Sequence, residues 1–125
     1  MGIDVYARWD GFGEAEERAQ LTAWLSNTDG DVGYLREAYH GEPYATRHLV
    51  PEAFESPEGV CLPARTLRER LPETLRLAEL RERSIYGAKT SEQIEAMLRS
   101  FTAFVELCEQ VEQTTGKPVR IIASW

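Results

Sequence analysis

Residues 90–125, TSEQIEAMLRSFTAFVELCEQVEQTTGKPVRIIASW, contain the strongest secondary-structure signals in the chain. Between about Ser91 and Thr114 the apolar side chains recur every three or four residues, which is the spacing of one face of an α-helix. At a rise of about 1.5 Å per residue, the predicted helix is ~36 Å long, enough to cross a small domain. The apolar face is formed by Ile94, Met97, Leu98, Phe101, Phe104, Val105, Cys108 and Val111.

Both ends of this helix are marked in the sequence. Thr90 and Gln93 have the spacing of a capping box, in which each side chain hydrogen-bonds the backbone N–H of the other residue. Gly116 and Pro118 are typical of the end of a helix, because glycine adopts the left-handed conformation there and proline does not continue the helix. The next residues, 119–125, alternate in polarity and predict a β-strand. The apolar side of this strand is formed by Val119, Ile121, Ala123 and Trp125.

The first residues of the chain show the same alternation. In residues 3–9, IDVYARW, the odd positions are apolar and the even positions carry Asp4, Tyr6 and Arg8. We therefore predict a second strand with one buried face. Because two strands alone are marginally stable, we expect the terminal strands to pair in one small sheet that packs against the long C-terminal helix and several shorter helices. The predicted fold class is α+β, in a single globular domain over residues 1–125.

Two helices are predicted in the N-terminal half. Three glutamates at positions 14, 16 and 17 suit the first turn of a helix over about 14–26, because acidic side chains are favourable near a helix N-terminus. Asp31 as N-cap and Gly41 as stop signal predict a short helix over residues 32–39.

Farther along the chain, prolines divide the predicted structure. Residues 42–62 contain three prolines and no sustained period, so we expect irregular structure there. Pro72 interrupts an Arg- and Glu-rich helical pattern, which predicts two helices, over about 63–71 and about 72–83.

Charge is distributed unevenly. The chain has 14 Lys and Arg against 21 Asp and Glu, a net charge of −7. Residues 1–58 hold 4 basic and 12 acidic residues, whereas residues 59–125 hold 10 basic and 9 acidic ones. Binding to nucleic-acid phosphates depends on clustered Lys and Arg, so this composition argues against direct nucleic-acid binding.

The sequence shows no targeting or membrane signal. No apolar run approaches the roughly 18 residues of a membrane span, and no export signal is evident at the N-terminus. We therefore expect no membrane association and a cytoplasmic location. Cys61 and Cys108 form no CxxC motif, and we expect both to be reduced, buried thiols.

Residues 33–48, GYLREAYHGEPYATRH, are the densest candidate for a binding site. They hold both histidines and three of the five tyrosines. Tyr and Arg are frequent anchors of protein interfaces, because they combine a large contact area with directional hydrogen-bond donors. The predicted partner-binding residues are Tyr34, Arg36, Glu37, Tyr39, His40, Tyr44, Arg47 and His48.

A catalytic alternative uses the same segment. Glu37 and His40 have an E-x-x-H spacing, but a di-metal site needs a second E-x-x-H motif. The other histidine is His48, and the residue three positions before it is Ala45 rather than a glutamate. We therefore predict no metal site. The glycine-containing turn at 10–13 lacks the third glycine of a dinucleotide fingerprint, so we also predict no cofactor. A small hydrolase or transferase that uses His40, His48 and Glu37 for proton transfer remains the alternative, although no nucleophile is evident.

Two segments resemble proteins of one group. GIDVYARWDG at 2–11 and GYLREAYHGEPYATRHLVPEAF at 33–54 resemble segments of small uncharacterised bacterial and prophage proteins. This resemblance covers roughly the first half of the chain, transfers no activity and implies a mobile-element setting. In that setting small acidic proteins often bind and block a host protein, sometimes by presenting carboxylates where nucleic-acid phosphates would sit.

We therefore predict a non-catalytic protein-binding module. In its sharper form, the prediction is a mobile-element inhibitor of a host nucleic-acid-handling or defence complex. A third alternative is a homodimeric structural protein that associates through the sheet, because two terminal strands would leave unpaired edges.

Overall fold

The computed structural model describes residues 2–23, 30–39, 41–84 and 90–125. Two short 3₁₀ turns, Gly30–Val32 and Pro51–Phe54, accompany the regular elements. In chain order these elements are β1 Gly2–Arg8, α1 Glu14–Ala23, β2 Tyr34–Ala38, α2 Ala45–Leu49, β3 Val60–Leu62, α3 Ala64–Ser84, α4 Ser91–Thr115 and β4 Val119–Ser124.

The strands form one antiparallel sheet with the order β2-β1-β4-β3. The two terminal strands are neighbours, with Val5 opposite Ala123, so their predicted pairing is confirmed. The described ranges also contain four α-helices, so the α+β class is confirmed. However, β1 and β4 lie in the centre of the sheet, and its edges are β2 and β3. The expectation that the terminal strands leave unpaired edges is therefore wrong.

The two faces of the sheet differ in burial. One face carries the apolar side chains of β1 and β4, which pack with α3 and α4 into the hydrophobic core. The opposite face, called here the second face, carries mainly half-buried or exposed side chains. Its side chains include Asp4, Tyr6 and Arg8 of β1, Tyr34 and Arg36 of β2, Cys61 of β3, and Arg120, Ile122 and Ser124 of β4.

Helix α4 matches its prediction closely. Its capping box is formed, and Gly116 ends it in the left-handed conformation, with φ 74°. Of the eight predicted apolar positions, seven are buried and Leu98 is half-buried. Cys108 lies in this core as predicted, whereas Cys61 on β3 is exposed, which corrects the prediction that both thiols are buried.

The segment predicted as a helix over residues 32–39 is instead strand β2. Leu35 and Glu37 point toward the helices, while Tyr34 and Arg36 point to the second face. Because Glu37 places a carboxylate at a core-facing position, residues 34–38 do not show the alternation of apolar and polar side chains that identifies a strand. Strand β3, helix α2 and a 3₁₀ turn likewise form within residues 42–62, which were predicted to be irregular.

Pro72 does not divide α3, so the predicted pair of helices is wrong. Proline inside a helix costs about 3 kcal/mol or more, because one backbone hydrogen bond is lost. Here the buried stripe continues on both sides of Pro72, from Leu67 and Leu71 to Thr74 and Ala78. Packing of both halves in the core outweighs the local cost. Helix α1 begins at the predicted Glu14 and is described as far as Ala23.

Burial of Cys108 makes the stability of the protein dependent on pH. Desolvation is the main cause that raises the pKa of its thiol from 9.0 to about 12, and Glu109 adds to it. Above pH 9 the unfolded chain therefore releases this proton while the folded chain keeps it. We expect the free energy of unfolding to fall as the pH rises from about 9 toward the folded-state pKa of about 12, by at most about 1.4 kcal/mol per pH unit.

Urea unfolding across this pH range checks the expectation. The Cys108→Ala variant should have a shallower pH dependence than the wild type, although its baseline stability is lower because of the small cavity. Equal slopes for the two proteins would show that the thiol is not responsible.

Candidate functional site

The predicted partner-binding segment is divided between strand β2 and helix α2. Tyr34 and Arg36 lie on the second face, and Glu37 lies on the helix-covered face. The other described members are on or beside α2. His40 lies outside the described residues. The described residues of the segment therefore form separate groups rather than one patch.

Tyr34 is a buried structural residue. Only 2% of it is exposed, and its hydroxyl donates to Asp4 at 2.5 Å. Arg36 donates to the same carboxylate oxygen at 2.7 Å, and the Tyr6 ring lies 5.2 Å from the Tyr34 ring. Burial, and then the hydrogen bond to Asp4, raise the pKa of Tyr34 well above its ordinary value. Of this group, Arg36 is exposed, whereas Asp4 and Tyr6 are half-buried.

Glu37 holds the beginning of helix α2. Its carboxylate is 5% exposed and accepts hydrogen bonds from the backbone N–H groups of Ala45 at 2.8 Å and Thr46 at 3.0 Å. The Thr46 hydroxyl donates to it as well, at 2.6 Å. The N–H groups of Ala45 and Thr46 belong to the first turn of α2, where backbone N–H groups have no intrahelical partner. Glu37 therefore fixes α2 against strand β2.

Arg81 of α3 neutralises this buried carboxylate. It is 3% exposed and donates to Glu37 Oε2 at 2.9 Å. The same guanidinium donates to the backbone carbonyls of Gly41, at 3.0 Å, and Ala38. It also lies 4.7 Å from the centre of the Tyr44 ring. One side chain thus connects β2, the following loop and α2 to α3.

Sequence reasoning missed Arg81, although a signal was present. Counting from Leu67 in steps of four, three, four and three residues, the buried stripe of α3 arrives at position 81. An arginine at a core position of an amphipathic helix indicates a buried counterion, because charged groups are rarely buried unless paired.

The pairing with Arg81 decides what Glu37 can do chemically. Four hydrogen bonds reach its carboxylate from described residues, and none comes from His48. A proton acceptor or metal ligand needs a lone pair directed toward its substrate or ion, whereas these lone pairs are directed into the protein. In addition, no cluster of His, Cys, Asp and Glu suited to a metal ion occurs in the described ranges.

An aromatic group is exposed next to α2. Arg47 lies 4.4 Å from the Phe54 ring centre and 5.8 Å from that of Trp125, and these two rings are 5.2 Å apart. At the N-terminal end of α2, the Tyr39 and Tyr44 rings meet edge to face at 6.2 Å. Tyr44 is the N-cap of α2 and Arg47 lies within it, so both groups adjoin this helix, and we call their five residues together the aromatic surface.

Exposure within the aromatic surface is high for such large side chains. Trp125 is 55% exposed and Tyr39 is 41% exposed. Arg47 is exposed, while Tyr44, Phe54 and the neighbouring His48 are half-buried. Sequence reasoning missed Phe54 and assigned Trp125 to the buried side of the last strand. The strand ends at Ser124, so the Trp125 ring lies beyond the core and packs on Phe54.

Comparisons with family models, curated proteins and solved structures return no match for this chain. None of the helices, in the part of the chain that the structure covers, is both long and apolar enough to span a bilayer.

Proposed function

We propose that this protein is a non-catalytic protein-binding module and that the aromatic surface is its contact site. The observation that carries the proposal is Trp125, which is more than half exposed and lies beside Phe54 with Arg47 over both rings. Trp, Tyr and Arg are the residue types most enriched among the energetically dominant residues of protein interfaces. Large rings held at a surface lose little conformational freedom on binding, which favours affinity.

The support beneath the aromatic surface favours the same role. Tyr44 packs on the buried Arg81 guanidinium, and α2, which carries Arg47, is held by Glu37. Fixed side chains reduce the ordering cost of association. Glu37, predicted as a contact residue, is on this view a positioning residue for the aromatic surface.

The geometry supports binding better than catalysis. The catalytic alternative needs Glu37 as a partner for a histidine, but its carboxylate is engaged by Arg81 and by the start of α2. The aromatic surface offers contact area and one guanidinium rather than converging acid–base groups.

In its sharper form, the proposal names the partner as a host protein that handles nucleic acid or acts in defence, which this protein inhibits in a mobile-element setting. The charge of residues 1–58 supports it, with 12 acidic and 4 basic residues. Exposed Glu14 and Glu17 in the first turn of α1 offer carboxylates to a basic partner. Such charge complementarity mainly accelerates association and improves specificity.

We expect the Trp125→Ala variant to lose its partner while remaining folded. Truncation of a dominant interface residue weakens binding by at least about 2 kcal/mol, or roughly 30-fold. Immobilised wild type and variant are compared by capture from host lysate, followed by an affinity measurement on the captured protein. Leu80→Ala is the matched control, because Leu80 is 52% exposed on α3 and lies outside the aromatic surface.

Equal capture by the Trp125→Ala and Leu80→Ala variants, or no captured protein at either low or high salt, would contradict the proposal. For the sharper form, the wild type should displace nucleic acid from the captured protein. The double variant Glu14→Gln with Glu17→Gln should weaken that displacement. The control is the double variant Glu92→Gln with Glu95→Gln, which removes two exposed carboxylates from the beginning of α4 and should have a smaller effect.

A further inference from the structure

Two arginines lie side by side on the second face of the sheet. Arg8 of β1 is directly opposite Arg120 of β4 in the antiparallel register. Directly opposite side chains have Cβ atoms about 4.5–5.5 Å apart, and like charges at this spacing destabilise a sheet. On its other side, Arg120 is paired with Cys61 of β3, whose thiol is exposed. Placing two arginines at directly opposite positions is therefore unfavourable for the protein alone.

Neither guanidinium is neutralised by a carboxylate of the described residues. Arg8 donates to the side-chain oxygen of Gln20 and lies 4.5 Å from the Phe12 ring centre. Arg120 donates to the backbone carbonyl of Glu58 at 3.2 Å. These neutral groups orient the two arginines and leave their charges uncompensated.

Gln20, which is fixed by its own hydrogen bonds, orients Arg8. Its amide is 2% exposed, and its nitrogen donates to the carbonyls of Ala7, Val32 and Gly33 at 2.9–3.0 Å. The amide oxygen is thereby directed toward Arg8. A cation fixed before a ligand arrives binds an anion with less loss of conformational freedom.

The two arginines line a cavity of about 480 Å³ together with Lys117, Asp10 and Trp9. This volume lies in the usual range for small-molecule sites. Lys117 pairs with Asp10 at 3.1 Å, and Asp10 is the acidic member of the described lining. Three cations and one carboxylate give the cavity a charge of about +2 in a protein whose net charge is −7.

We infer that this cavity binds the phosphate group of a small-molecule phosphate monoester, with the phosphate between Arg8 and Arg120. A phosphate monoester carries nearly two negative charges at neutral pH, which matches the cavity charge of about +2. A guanidinium group can donate two parallel hydrogen bonds to two phosphate oxygens. The organic part of the phosphate monoester lies along Trp9. The net charge of −7 disfavours an extended nucleic acid at the same place, since a polyanion is repelled by the whole molecule.

Phenyl phosphate is a suitable probe, with acetate as a singly charged comparison. In backbone amide NMR of the complete chain, phenyl phosphate should give saturable shifts confined to the ends of β1 and β4 and to the residues around Lys117. Arg120→Gln should weaken binding about tenfold or more, because one charge-assisted contact is lost. Arg99→Gln, at an exposed position on α4, should bind as the wild type does.

Cys61 provides an independent measurement. Bound phenyl phosphate should slow the reaction of this thiol with a maleimide in the wild type and the Arg99→Gln variant, but not in Arg120→Gln. Cys108 is buried and should not interfere. Because Arg120→Gln also removes one of two like charges at directly opposite positions, its melting temperature without phosphate should be no lower than that of the wild type.

Three results would overturn the inference. The first is a set of shifts spread over exposed cations throughout the protein. The second is equal affinity in the Arg120→Gln and Arg99→Gln variants. The third is tighter binding of a ten-nucleotide single strand than of phenyl phosphate, which would identify the cavity as part of a nucleic-acid surface.

Discussion

Replacement of Glu37 with leucine is expected to lower the free energy of unfolding by about 3–5 kcal/mol, the usual effect of removing one partner of a buried ion pair. The leucine removes the nearer counterion of the Arg81 guanidinium, which is 3% exposed, and leaves the buried Glu82 carboxylate at 3.8 Å from it. It also removes the acceptor for the backbone N–H groups of Ala45 and Thr46. Because natural domains have about 5–15 kcal/mol of total stability, the loss amounts to a large fraction of it.

Urea unfolding of three variants tests this explanation. Arg81→Leu alone should destabilise the protein by at least a similar amount, because Glu37 and Glu82 both lose it as an ion-pair partner. Glu37→Leu combined with Arg81→Leu should cost clearly less than the sum of the two single changes. Glu109→Gln is the control, since its pair with Arg68 is 38% and 44% exposed and contributes less than about 1 kcal/mol.

Additive effects of the two single substitutions would show that Glu37 and Arg81 do not stabilise the fold as a pair. If Glu37→Leu stays folded at moderate temperature, it should also weaken partner capture at the aromatic surface, because α2 is then no longer held against β2. Unchanged capture would show that partner binding at the aromatic surface does not depend on Glu37.

Replacement of Gly30 with alanine is the second change with a large expected effect. The 3₁₀ turn at Gly30–Val32 packs on α4 so closely that the added Cβ would lie 1.7 Å from the backbone carbonyl oxygen of Ser100. It would also lie 2.8 Å from the backbone nitrogen of Phe104. Both obstacles are backbone atoms of a long helix, so the turn has to move away. The hydrogen bond from Gly30 N–H to the Ser100 hydroxyl, 2.8 Å, is then lost.

We expect Gly30→Ala to lower the free energy of unfolding by about 3 kcal/mol or more, at the upper end of the effects of overpacking. Gly13→Ala is the matched control, because the nearest atom to an added Cβ there is 4.0 Å away. That variant should remain within about 0.5 kcal/mol of the wild type in urea unfolding. A loss of similar size in both variants would mean that close packing of Gly30 on α4 is not the cause.

Much of the fold could be predicted because its signals are local. The apolar stripe of α4, its capping box and the alternation in the two terminal strands are each contained within a few neighbouring residues. Strand β2 could not be recognised in the same way. Its core-facing pair is Leu35 and Glu37, and a glutamate becomes a core residue only when a distant arginine neutralises it. Pro72 presents the same difficulty, because its cost is offset by packing against another helix.

The candidate site was predicted in part. Arg47, Tyr39 and Tyr44 were named from composition, and the structure places them at an exposed aromatic surface. Trp125 and Phe54 were missed as its members, since they are distant in sequence and meet only when β4 passes beside the 3₁₀ turn. Arg8 and Arg120 are 112 positions apart in the chain and become neighbours only through the antiparallel register.

By itself, the sequence determined that the terminal strands pair and that a long amphipathic helix covers them, because side-chain periodicity and capping act over short distances. It also determined where the acidic residues are concentrated. Tertiary structure alone decided which charges are paired and which remain uncompensated. Glu37 became a buried support because Arg81 reaches it, and Arg8 and Arg120 became a cationic cavity because no described carboxylate neutralises them. The physical reason is that electrostatic pairing depends on distance and burial in space, which a linear pattern does not encode.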